Sequence, residues 1–172
     1  MPTLQSAFRD FHDNIKLSNI DENATLREKR DILLKKLKDH ISSDAAPYSS
    51  FNQGSYAMHT GISPDNGDFD IDVGLKFEVE KDDYPDPTVL KKWVRDALKG
   101  HTRSVEIRKP CVTVKYHRED EDIYHVDFAI YAAKNADGKI YLARGKEFSD
   151  SENKFWEESD PQKFIDLELI PK

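Results

Sequence analysis

Two short runs decide how this chain is read: Phe51-Asn52-Gln53-Gly54-Ser55-Tyr56-Ala57-Met58, then Asp68-Phe69-Asp70-Ile71-Asp72-Val73-Gly74-Leu75. The second run lies in a predicted strand from Phe69 to Phe77. Asp70 and Asp72 therefore leave one face, while Ile71 and Val73 take the other and can enter a core. Carboxylates side by side repel unless something cationic sits between them. Hard divalent ions such as Mg²⁺ suit such an oxygen cluster, with substrate phosphates completing the shell. In the first run, Tyr48 to Gln53 reads as a short strand, and Gly54-Ser55 opens a brief helix. Glycine lets backbone approach a phosphate, a helix N-terminus offers free N–H groups, and the serine hydroxyl adds a donor. Taken singly these signals are common. An isolated Asp-x-Asp is more often a solvated strand edge, and most Gly-Ser pairs are ordinary turns.

A third acid lies further along, in Tyr124-His125-Val126-Asp127-Phe128-Ala129-Ile130. Alternation puts Val126 and Phe128 on one face and Asp127 on the other. A carboxylate inside an otherwise apolar strand is costly unless paired, metal-bound or turned to solvent. His125 shares its face, as a pocket-lining or a structural histidine. Arg108, Lys109 and Lys115 flank the middle strands and read as solvated, and the role of His59 is open. Cys111, beside Pro110, reads as a small core residue and not as a nucleophile.

Around these runs the spacing predicts a first helix carrying Phe8, Phe11, Ile15 and Leu17, ending near Asn19 to Asn23. A second helix starts at a capping box of Thr25 and Glu28, buries Leu26, Leu33, Leu37 and Ile41, and closes by Pro47. Ser63 to Asp68 is rich in turn formers. Asp86-Pro87 starts a third helix with Leu90, Trp93, Ala97 and Leu98 as its buried stripe and Gly100 as its stop. Alternating segments follow at Val105 and Ile107, at Val112, Val114 and Tyr116, and at Tyr124, Val126, Phe128 and Ile130. A hairpin turn at Ala136 to Gly138 leads into Ile140 to Ala143. The expected class is α+β, a mixed sheet flanked by helices and not a βαβ repeat. The expected division is 1–45 as helices packing on the core, 46–160 as the core, and 161–172 as the start of a helical segment. Phe164, Ile165, Leu167, Leu169 and Ile170 in that segment suit packing against a further lobe, a partner chain or the first helix.

A chain of 172 residues fits one ordinary domain. Its formal charge of -7 argues against tight, non-specific binding to a nucleic-acid backbone. It does not argue against small phosphorylated substrates, because a divalent metal supplies positive charge locally. The one cysteine excludes an intramolecular disulfide and makes a reducing cytoplasm the default. No apolar run reaches membrane-spanning length, and no signal-peptide core is visible.

The order and spacing of the Gly-Ser turn, the Asp-x-Asp strand and the third acidic strand resemble the nucleotidyltransferase superfamily with its polymerase beta-like core. Within it the likeness is to bacterial cGAS/DncV-like nucleotidyltransferases (CD-NTases), the cyclic-oligonucleotide synthases of CBASS-type anti-phage signalling. Gln53-Gly54-Ser55-Tyr56-Ala57-Met58, Asp70-Ile71-Asp72-Val73-Gly74-Leu75 and the preceding Leu26-Arg27-Glu28-Lys29-Arg30 carry it. The resemblance implies a metal-dependent enzyme using two Mg²⁺ (or Mn²⁺) ions and nucleoside triphosphates, ATP and/or GTP. It implies that Asp70, Asp72 and Asp127 are catalytic and hold the metals, and that Asp127 helps activate the attacking ribose hydroxyl. Gln53, Gly54 and Ser55, with Asp70 and Asp72, would bind the nucleotide. The likeness runs from about Phe8 to Phe164, and such synthases continue into a helical C-terminal lobe, so that lobe is expected to be absent or truncated here. Two alternatives stand beside this reading. One is transfer to another acceptor, such as a protein, an antibiotic or an RNA end; the other is a non-catalytic nucleotide-binding module. A metal-dependent nuclease fits worse, since no Glu-x-Lys partner follows the aspartates.

Overall fold

The period-two pattern that exposes Asp70 and Asp72 also buries Ile71, Val73, Leu75 and Phe77, each at most 1% exposed. That strand, β2 (Phe69–Phe77), lies inside a seven-stranded sheet. The computed structural model describes residues 20–54, 69–118 and 121–161. In chain order the other elements are α1 (Ile20–His40), β1 (Tyr48–Gln53), α2 (Thr88–Leu98), β3 (Ser104–Ile107), β4 (Val112–Arg118), β5 (Glu121–Ala132), β6 (Tyr141–Arg144) and β7 (Phe155–Glu158). The expected first helix, Ser55, His59, the Ser63 to Asp68 turn and the apolar residues Phe164 to Ile170 lie outside the described residues.

The strand order is β1-β2-β5-β4-β3, with β6 pairing β5 and β7 pairing β6. β2 runs parallel to β5, and every other pair is antiparallel, so the sheet is mixed and the fold α+β as expected. Both described helices pack on one face. Leu26, Leu33 and Leu37 of α1 and Leu90, Val94, Ala97 and Leu98 of α2 join Val126, Phe128 and Ile130 of β5 and Val112 and Val114 of β4 in one core. Each of these side chains larger than alanine contributes roughly 1.5–3 kcal/mol by leaving water. The opposite face carries the acidic residues.

Three expectations are corrected. α1 begins at Ile20, so residues 20–23 of the expected turn are helical, and Thr25 sits inside the helix instead of capping it. α1 also ends at His40, well before Pro47, which precedes β1 directly. β7 has no sequence signature: Phe155-Trp156-Glu157-Glu158 lacks alternation and pairs only with the short β6. At α2 the expectation holds, since Asp86 Oδ1 accepts from the Thr88 N–H and hydroxyl, and Gly100 follows with φ +75°. No helix among the described residues is long and apolar enough to cross a membrane.

Candidate active site

Strand pairing converts separate motifs into one surface. Gln53 stands opposite Asp72, Asp72 opposite Asp127, and Asp127 opposite Thr113, a row running across β1, β2, β5 and β4. One step along, Asp70 pairs with His125, and His125 with Lys115. Paired residues on neighbouring strands lie on the same face, so both rows look away from the helices. Asp70 is exposed, whereas Asp72 and Asp127 are partly buried. Arg108 is not part of these rows and lies 3.8 Å from Glu106.

The electrostatics of this face are unfavourable as it stands. Burial, then the charges of Asp70 and Asp127, push the Asp72 carboxyl up to about 6. Asp127 Oδ1 is buried without a hydrogen-bond partner among the described residues. A desolvated carboxylate oxygen of this kind costs free energy unless a cation or donor reaches it. No three His, Cys, Asp or Glu side chains among the described residues gather closely enough to enclose an ion by themselves. Such an open arrangement fits Mg²⁺, which keeps water and takes one or two protein carboxylates together with phosphate oxygens.

Gly54 ends β1 with φ +68°, a conformation that disfavours any side chain. A Cβ built there would fall 2.0 Å from Asp72 Oδ2, so the glycine is what admits the carboxylate. Gly74 makes space differently: a Cβ would lie 2.1 Å from the Phe51 ring, which covers that part of the face. Gln53 is tied down, its Oε1 accepting from the Tyr131 hydroxyl at 2.9 Å.

Sequence reasoning passed over two residues. Tyr131 follows Asp127 by four on β5 and so shares its face, a signal that was available. Lys91 is fully buried, its Nζ donating to the carbonyls of Arg108 (3.1 Å), Lys109 (2.8 Å) and Gly145 (2.9 Å). Burial lowers its ammonium to about 8, leaving it charged at neutral pH. It ties the β3–β4 turn to the end of β6. Cys111 is the buried residue expected; burial pushes its thiol up to about 11, so it remains a neutral S–H.

Residues 49–131 match the family described as cyclic GMP-AMP synthase DncV-like, nucleotidyltransferase domain. Among solved structures, the chain superposes on the Bradyrhizobium diazoefficiens CD-NTase CdnG in complex with GTP with a TM-score of 0.66 at 17% identity, covering 89% of this chain and 43% of that one. Vibrio cholerae DncV cyclic AMP-GMP synthase, in complex with the linear intermediate 5′ pppA(3′,5′)pG, gives 0.67 at 15% identity, covering 91% and 58%. CdnC of E. coli MS115-1 with ATP gives 0.62 at 20%, covering 95% and 50%. The chain thus spans between 43% and 58% of the length of these three structures. The family match extends over β1 to β5, the strands that bear both rows of the acidic face, and over that span the chain is similar to the DncV-like nucleotidyltransferases.

Proposed function

We propose that this chain is the catalytic part of a metal-dependent nucleotidyltransferase that joins nucleoside triphosphates, ATP and/or GTP, into a cyclic di- or oligonucleotide messenger of bacterial anti-phage defence. The observation that carries the reading is the register of Asp72 with Asp127 on parallel strands, Asp70 on the same face and Asp127 Oδ1 buried without a partner among the described residues. Asp70, Asp72 and Asp127 would hold two Mg²⁺ or Mn²⁺ ions. When bound, the ions supply charge neutralisation for in-line displacement at the α-phosphorus and for the departing pyrophosphate. The chain's own residues provide the rest. Asp127 sits across the ladder from Asp72, so both reach one substrate from adjacent strands. Gln53 and the Gly54 backbone border the carboxylates where the triphosphate tail would lie; Ser55, proposed to contact it, is outside the described residues. The sheet fixes Gln53, Asp70, Asp72 and Asp127 relative to one another, which is the positioning that phosphoryl transfer depends on.

The named relatives were solved with GTP, with ATP and with a linear pppApG intermediate, which supports a nucleoside triphosphate as ligand here. The test is incubation of the purified protein with labelled ATP, GTP, CTP and UTP and Mg²⁺ or Mn²⁺. A product resistant to phosphatase and nuclease is expected, and its absence from Asp70→Asn, Asp72→Asn and Asp127→Asn proteins. A labelled macromolecule would shift the reading to another acceptor. Metal-dependent nucleotide binding with no product at all would leave a binding module instead. Variants matching the parent in binding and turnover would overturn the assignment of the site.

A further inference from the structure

Tyr131 belongs to none of the motifs, yet it holds the residue that opens the site. Its hydroxyl donates to Gln53 Oε1 at 2.9 Å, and it is 2% exposed. Its ring lies 5.9 Å from that of Phe51, which fills the space left over Gly74. Burial keeps the phenol protonated, pushing it up to about 12, so it remains a donor at any physiological pH.

The two ends of an amide have opposite character, and its surroundings decide which end is useful. Gln53 is opposite Asp72 in the ladder, and Asp72 is in turn opposite Asp127 on the next strand. Carboxylates and phosphate oxygens are acceptors; they repel the amide oxygen and take hydrogen bonds from the –NH₂. A free glutamine samples both orientations. With Oε1 engaged by Tyr131, the –NH₂ is the end left to the acidic face. We propose that Tyr131 is a positioning residue: it locks the Gln53 amide so that its –NH₂ meets the triphosphate oxygens of the bound nucleotide. This deepens the function proposed above and rests on it.

Two measurements on the full chain test the role. In ¹⁵N-labelled protein, the Gln53 side-chain –NH₂ signals, identified by their loss in Gln53→Ala, are expected to be sharp and to shift on adding Mg²⁺–ATP. In Tyr131→Phe they are expected to move to averaged, free-glutamine positions. In calorimetric titrations with Mg²⁺–ATP, Tyr131→Phe and Gln53→Ala should each weaken binding roughly five- to ten-fold, the loss of one hydrogen bond. The double variant should bind within about two-fold of Gln53→Ala, because Tyr131 acts only through the amide. A purely structural role would weaken binding further in the Gln53→Ala background, and that result overturns the proposal. Parent-like binding or parent-like amide signals in Tyr131→Phe overturn it as well. Failure of the parent to bind Mg²⁺–ATP, by contrast, overturns the functional reading itself and this role with it.

Discussion

Replacing Asp72 by asparagine should make the metal-free protein more stable while removing its response to metal. The folded carboxyl titrates near 6 instead of 3.8, because burial and the charges of Asp70 and Asp127 oppose ionisation. Between those two values the folded state keeps a proton that the unfolded chain has already released. Stability therefore falls as pH rises through this window, by about 3 kcal/mol once pH is above both values. The asparagine side chain has the same shape and no charge to desolvate, so the variant escapes this loss. Its advantage should be about 3 kcal/mol at about pH 7.5, about 1 kcal/mol at about pH 4.5, and close to zero near pH 3. With a urea slope of about 2 kcal/mol per molar, the midpoint at the higher pH should move up by about 1.5 M. Repeating the titration with Mg²⁺ or Mn²⁺ should close most of the gap: at a hundred times its dissociation constant an ion stabilises the parent by about 2.7 kcal/mol, and the variant by far less. A variant no more stable than the parent at pH 7.5 would refute the reasoning. So would an advantage that stays constant down to pH 4.5, since it would then owe nothing to the Asp72 charge.

Gly54→Ala should lose about 1–3 kcal/mol in denaturant unfolding through its positive φ, and it should weaken Mn²⁺ binding because the new methyl displaces the Asp72 carboxylate. Unchanged Mn²⁺ affinity, read by electron paramagnetic resonance, would show that Asp72 is not constrained there. Lys91→Met keeps most of the side-chain volume but leaves three carbonyls without their ammonium, and should cost about 2–4 kcal/mol. A loss under about 0.5 kcal/mol would mean that the β3–β4 turn is held by other means. Leu33→Ala removes a fully buried α1 side chain and should cost about 2–5 kcal/mol; a near-neutral result would place α1 off the core.

The sequence by itself determined the local elements and the sign of each face. Period-two burial of Ile71, Val73, Leu75 and Phe77 marks β2 (Phe69–Phe77), because a strand with one buried face must alternate. The same parity puts Asp70, Asp72 and Asp127 opposite the apolar side chains before any pairing is known. Strand neighbours were not legible, because pairing is a contact between distant segments and leaves no mark in either one. Only the tertiary structure sets β5 parallel to β2 with Asp127 level with Asp72, and so turns separate acids into one charged surface. It also decided the pieces that local rules misjudge. α1 extends back past Thr25, and β7 forms against β6 without alternation of its own. A lysine is buried because three carbonyls receive it. At Gly54 the sequence suggested only an approach to phosphate; the structure adds the carboxylate of Asp72, which occupies the place of a Cβ. The repulsion of Asp70 and Asp72 is already written in one strand; that of Asp127 with them exists only once the sheet has brought β5 beside β2.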